Sequence, residues 1–183
     1  MKTASMQEAV FFIQKLFSFY YSSSLNRKPC LCLNLPGWDI ADRGLGMCQL
    51  NSACDLRDFT GAVITVTDNC FGEVMFSIPS LNPVKELKAP RDCKHVNLKL
   101  VLVSSPFAGA GSSVNITTQS YEFAYEDNTM PAVDLKLNCG SAVGDIAIAV
   151  IALEFQVYQQ GQTLWTTESL WLPAAVIGMG RLK

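Results

Sequence analysis

The feature that most constrains this chain is a period of two in its apolar residues from about residue 61 onward. Residues 146–153 read Ile-Ala-Ile-Ala-Val-Ile-Ala-Leu, apolar on both sides, and then Phe155 and Val157 alternate with Glu154 and Gln156. A central strand leaving the core reads this way. A buried helix is the rival for the apolar run, but the alternation that follows and the β-branched residues favour the strand. In residues 95–103, Val96, Leu98, Leu100 and Leu102 form one side, with Asn97 and Lys99 opening the other. Val133, Leu135 and Leu137 alternate with Asp134, Lys136 and Asn138 in the same manner. Successive strand side chains point to opposite faces, so each stretch presents one face to a core.

Further strands follow from composition and punctuation. Residues 63–67, Val-Ile-Thr-Val-Thr, are β-branched, and the turn-rich Asp68-Asn69-Cys70-Phe71-Gly72 separates them from residues 73–78. That pattern predicts a β-hairpin. Residues 79–90 hold Pro79, Pro83 and Pro90, which removes backbone donors and marks a connection, with a helical turn at Lys85-Glu86-Leu87. Two short strands are expected at 114–118 and 121–125, the second with Tyr121, Phe123 and Tyr125 on one side. Residues 159–162, Gln-Gln-Gly-Gln, supply a hairpin turn into 163–165, and Pro173 precedes a last apolar strand at 174–179. Sequential strands joined by short turns imply a mainly β, antiparallel sandwich.

The first 60 residues differ in character. Met6, Val10, Ile13, Leu16, Phe17 and Tyr20 recur at three- and four-residue steps, with Ser5 and Glu8 placed as a capping box, so a short amphipathic helix is expected there. Such a helix packs on the domain or a partner subunit; a membrane-surface role has only Lys2 and Lys15 to draw on. Ser22-Ser23-Ser24 and Asn26-Arg27-Lys28-Pro29 read as a linker, and residues 30–59 show little periodicity of either kind. The expected division is 1–60, a helix with an irregular region, and 61–183, the β domain.

Composition excludes several classes of function. A chain of 183 residues with 49% hydrophobic and 16% charged side chains can fill a core without a metal or disulfide scaffold. A formal net charge of -2 offers no positive field for nucleic acid, and so small a charge leaves a protein partner or self-association open. No stretch is apolar over the twenty or so residues that a bilayer span needs. The seven cysteines, Cys30, Cys32, Cys48, Cys54, Cys70, Cys93 and Cys139, are odd in number and irregularly spaced, which argues for free thiols in a cytoplasmic setting. Secretion or a cell-surface place is the alternative, but the N-terminus fits a signal peptide poorly and the single Asn115-Ile116-Thr117 sequon, a triplet that arises easily by chance, does not support it.

Residue chemistry gives no convergent set. His95 is the sole histidine, so any Ser-His or Cys-His catalysis depends on it, and a structural place at the start of a strand is the commoner use. Cys30, Cys32, Cys48 and Cys54 do not match the paired spacing of a zinc ribbon. The carboxylate pairs Asp39/Asp42, Asp55/Asp58 and Glu126/Asp127 sit in turns, where acidic residues serve local hydrogen bonds. Gly109-x-Gly111 lacks the lysine and helix of a phosphate loop. Trp38, Trp165 and Trp171, with Tyr121, Phe123 and Tyr125, suit a carbohydrate or protein surface, though core packing is their more frequent role. No catalytic, cofactor-binding or metal-ligating residue is therefore assigned, and no cofactor is expected.

Two arrangements carry a family resemblance. One is Lys88-Ala89-Pro90, then Cys93-Lys94-His95 and the strand 96–103; the other is residues 152–158, Ala-Leu-Glu-Phe-Gln-Val-Tyr, followed by Gly161 and Trp165. Over roughly residues 72–183 the chain resembles a family of uncharacterised Bacteroidetes proteins known as a domain of unknown function. It departs from that family in having Gln160-Gly161 for Asn-Gly and Leu164-Trp165-Thr166 for Tyr-Pro-Leu. The resemblance implies an immunoglobulin-like sandwich and brings no catalytic residue with it. The expected function is a noncatalytic module for structure or protein interaction; the alternative is a carbohydrate-binding protein or a hydrolase whose site is assembled from distant loops.

Overall fold

A computed structural model of the chain describes residues 48–69, 72–105, 114–138, 140 and 145–182. All of them belong to the second of two units into which the chain divides, Leu35–Lys183. The helix expected over 5–20 and the linker after it lie outside the described residues.

The described chain is mainly β and antiparallel. Its strands are β1 (Cys48–Gln49), β2 (Thr65–Asn69), β3 (Glu73–Ile78), β4 (Cys93–Ser105), β5 (Asn115–Ala124), β6 (Val133–Asn138), β7 (Ile146–Gln159), β8 (Gln162–Trp165) and β9 (Ala174–Arg181). One sheet runs β1-β9-β7-β4-β5 with β8 paired to β7, and a smaller one runs β2-β3-β6. The expected hairpin is β2–β3, with Val66 opposite Phe76. The apolar run is β7, a strand as expected, and it pairs with β4 from Val157 opposite Cys93 to Ile146 opposite Ser105. Gln160 and Gly161 between β7 and β8 both have positive φ, 50° and 82°. Two left-handed residues match the twist of a tight hairpin, which is why a glycine stands second.

Residues 114–118 and 121–125 do not form two strands: β5 is unbroken, and polar Gln119 and Ser120 stay in register opposite Leu100 and Lys99. A strand flanked on one side by an ordered neighbour keeps its ladder bonds through polar residues, because the backbone rather than the side chain makes them.

The two sheets face one another across a common core. Val74, Phe76, Ile78 and Leu137 from the small sheet meet Val96, Leu98, Leu100, Leu102, Ile151, Leu153 and Phe155 from the large one. The opposite face of the small sheet is polar, with Glu73 and Lys136 paired at 3.3 Å. Segment 48–60, N-terminal to the boundary read at residue 60, is built into the same core. There β1 pairs with β9, a 3-10 turn at Leu56–Asp58 buries Leu56, and Phe59 lies 6.0 Å from Phe155 and 5.6 Å from Trp171 between ring centres. The proline-rich connection carries a single helical turn, Pro83–Glu86, whose N-cap Asn82 accepts from the Lys85 amide. Proline at the first helical position loses no bond, since that amide has no partner within a helix.

Phe155 is fully buried, whereas Tyr158, three residues on in β7, is 51% exposed. Phe155→Ala is expected to cost about 3–5 kcal/mol and Tyr158→Ala under about 0.5 kcal/mol, read from urea denaturation midpoints at constant slope.

Candidate functional site

The alternation that sends Val96, Leu98 and Leu100 into the core sends His95, Asn97, Lys99, Val101 and Val103 to the other face of the large sheet. Register sets their neighbours. On β7 they meet Gln156, Glu154, Ala152, Val150 and Ile148 in turn, and on β5 they meet Ala124, Glu122, Ser120, Thr118 and Ile116. The face therefore grades from a polar end at His95 to an apolar end at Val103 and Ile148, both buried.

A polar cluster occupies the middle of that gradient. Asn97 Nδ2 donates to Glu154 Oε2 at 2.9 Å, and Lys99 Nζ donates to Glu154 Oε1 at 2.9 Å. Directly opposite strand positions bring Asn97 and Glu154 together, and Lys99 reaches the same carboxylate from the diagonal position. Asn97 is only 5% exposed, and its Oδ1 is the one buried side-chain acceptor without a partner among the described residues. Leaving such an acceptor unmatched costs about 1–3 kcal/mol, so Asn97 is the most expensive polar placement on this face. The Lys99 and Glu154 side chains are 22% and 26% exposed, enough water to weaken their attraction. Chemically, the cluster is a carboxylate with both oxygens already hydrogen-bonded, plus an ammonium and an unmatched amide oxygen. It orients a carboxylate well but leaves no adjacent nucleophile for it to activate.

The residues singled out from sequence go elsewhere. His95 shares the face with Asn97 but is exposed, and its ring makes no hydrogen bond or ion pair among the described residues. The neighbouring Cys93 Sγ bonds the His95 carbonyl at 3.5 Å rather than the imidazole. Burial pushes the Cys93 thiol up to about 11, and its contact with the His95 carbonyl and nearby Lys94 only partly offset this. Cys54 is likewise raised, chiefly by burial, despite a backbone bond at Leu172 that lowers it. Asn51 donates to Cys54 Sγ and to the carbonyls of Ser169 and Leu172, so this side chain ties the 48–60 segment to the chain before β9. Neither thiol has the depressed pKa of a nucleophile or a ready metal ligand. Among the described residues no group of three or more metal-ligating side chains converges. Cys30, Cys32 and Cys139, the Cys48 side chain, Gly109 and Gly111 lie outside the described residues.

The carboxylates serve local structure. Asp55 caps the 3-10 turn and takes Arg57 and the Gln49 amide, and the Arg57 hydrogen bond holds its carboxyl below the usual range. Asp127 accepts from Asn82 at 2.8 Å and pairs with Lys85 at 2.8 Å, and Lys85, then Asn82, lowers its pKa. Asp39 and Asp42 lie outside the described residues. Of the aromatics, Tyr121, Phe123, Tyr125 and Trp171 pack against the core, and Tyr125 Oη donates to the Leu87 carbonyl at 3.1 Å. Trp165 is half-buried opposite Gln156, and Trp38 lies outside the described residues.

Sequence reasoning placed Asn97, Lys99 and Glu154 off the core but did not join them. Alternation within one strand gives a face, whereas pairing across strands needs the register. Compared with protein-family models, curated proteins and solved structures, the chain has no match. No helix among the described residues is long and apolar enough to cross a membrane.

Removing Glu154 strands both of its donors. Glu154→Ala is expected to destabilise by about 1–3 kcal/mol, and Asn97→Val combined with it by less than the sum of the two single changes, measured by a urea double-mutant cycle. The Cys93 thiol gives a pH signature. Its proton is held up to about pH 11 in the folded chain while the unfolded thiol releases near 9, so the stability it contributes is present below 9 and lost as pH rises through 11. Iodoacetamide labelling at pH 8 is expected to modify Cys93 far more slowly than the unfolded chain, with mass spectrometry locating the adduct.

Proposed function

We propose that this chain is a noncatalytic antiparallel sandwich module of immunoglobulin-like type, serving structure or protein interaction and related to the Bacteroidetes family it resembles. The observation that carries this reading is where the reactive groups are spent. Asp55, Asp127 and Glu154 are each committed to two or more local hydrogen bonds, and burial raises the pKa of the Cys54 and Cys93 thiols. Catalysis needs a nucleophile, a base and an orienting group within bonding reach of one another, and these groups lie on separate elements. Six strands against three on one core support the sandwich, and the family relation rests on the residues 88–95, 152–158, Gly161 and Trp165 alone.

Cys54 and Cys93, both free thiols, favour a reducing cytoplasmic setting. The net charge of -2 supports a protein partner rather than nucleic acid. A ligand-binding reading draws on one observation, the unmatched Asn97 Oδ1 beside Lys99 and Glu154.

The purified full chain, with Glu154→Gln and His95→Ala variants, is to be assayed against chromogenic ester and glycoside panels. No turnover above buffer is expected. Turnover in the parent chain that is lost in either variant replaces the module with a hydrolase.

A further inference from the structure

Among the described strands the large sheet ends on β5, the longest of the edge strands. Tyr125 N donates to the Lys94 carbonyl at 2.8 Å, which makes residues 94 and 125 a directly bonded antiparallel pair. Such pairs alternate along a ladder, so Phe123, Tyr121, Gln119 and Thr117 also turn their backbone groups toward β4. Ile116, Thr118, Ser120, Glu122 and Ala124 must then aim their N–H and C=O groups away from it. These five make no backbone hydrogen bond on that outer side among the described residues, and the first four are exposed.

Sheet edges are ordinarily guarded by lysine, proline, bulges or short length. β8 is four residues long, and β6 carries Asp134 and Lys136 on its outward face. β5 has ten residues, no proline, no lysine, an uninterrupted register with β4 and a single charge, Glu122. The five outward residues, open among the described residues, are a template for another strand.

We propose that β5 is a self-association edge, where a second copy of this chain adds its own β5 antiparallel across a two-fold axis at Ser120, joining two large sheets into one. The inference rests on the interaction-module reading and names its partner. Outward-facing residues must pair with outward-facing residues, so only even-to-even registers close the ladder. Centring on Ser120 sets Ile116 opposite Ala124, Thr118 opposite Glu122 and Ser120 opposite its own copy, using all five outward residues for about ten backbone bonds. Shifting the centre by one residue either way loses one pair. The Ser120 register also keeps the two Glu122 carboxylates about four residues apart along the ladder, roughly 13 Å and beyond the physiological screening length. With a whole-chain charge of -2, little long-range repulsion opposes the approach.

Sedimentation velocity of the full chain across a concentration series is expected to show a species of twice 20.0 kDa. Ser120→Lys sets two like charges directly opposite one another and is expected to return the mass to one chain, with an unchanged circular dichroism spectrum. Under mild oxidant Ser120→Cys is expected to form a covalent dimer beyond any seen in the parent. A bonded antiparallel pair separates Cα atoms by about 5.5 Å, inside the range a disulfide spans. Thr118→Cys, opposite Glu122 rather than its own copy, is expected to add no crosslink. Single-chain mass at every concentration overturns the proposal, as does a dimer that survives Ser120→Lys or fails to crosslink at 120. If Ser120→Lys does not fold, the two cysteine variants decide the matter. Either overturning result leaves the noncatalytic reading in place, while turnover in the substrate panels removes that reading without altering the measured mass.

Discussion

The pairing of β4 with β7 is the interaction on which the rest of the structure depends. It runs from Cys93 opposite Val157 to Ser105 opposite Ile146, the longest ladder in the described chain. Through it Val96 meets Phe155, Leu98 meets Leu153 and Leu100 meets Ile151 on the core side. Burying each such aliphatic or aromatic side chain is worth about 1.5–3 kcal/mol, so this pair of strands supplies the densest stretch of the apolar core. The rest of the large sheet is attached through these two: β5 to β4, β8 and β9 to β7, and β1 to β9 in turn.

The small sheet and the 48–60 segment close over that platform from one side. Phe76 and Val74 fill the space above the central strands, while Leu56, Phe59 and Trp171 seal the end near Phe155. Side-chain amides do the tying: Asn51 reaches the carbonyls of Ser169 and Leu172, Gln49 receives the Leu56 amide, and Asn82 joins the proline-rich connection to Asp127. Connections between strands carry backbone groups with no ladder partner, and these amides satisfy them. Asp55 and Asp127, one from each of two carboxylate pairs in the sequence, belong to the same set of hydrogen bonds.

The off-core face of the large sheet is where polarity was spent without a full return. Asn97 brings an amide under cover, and Glu154 matches only its donor side. The same β4 row that carries Asn97 lies one strand in from the β5 edge, with Glu122 opposite Asn97 and Ser120 opposite Lys99.

Much of the fold was legible in the residues themselves. A period of two in 95–103, 133–137 and 154–157, and the β-branched 63–67, fixed strands and core faces, because side-chain direction is local to each residue. Glycine at 161 and prolines at 79, 83 and 90 placed a turn and a connection for equally local reasons. Tertiary structure alone decided that Gln119 and Ser120 continue one strand, that Leu56 and Phe59 enter the core, that Glu154 stands between Asn97 and Lys99, and that β5 is left at the edge. Each of those depends on which strands lie side by side and in what register, a choice made by contacts between residues distant in sequence, and no local pattern encodes it.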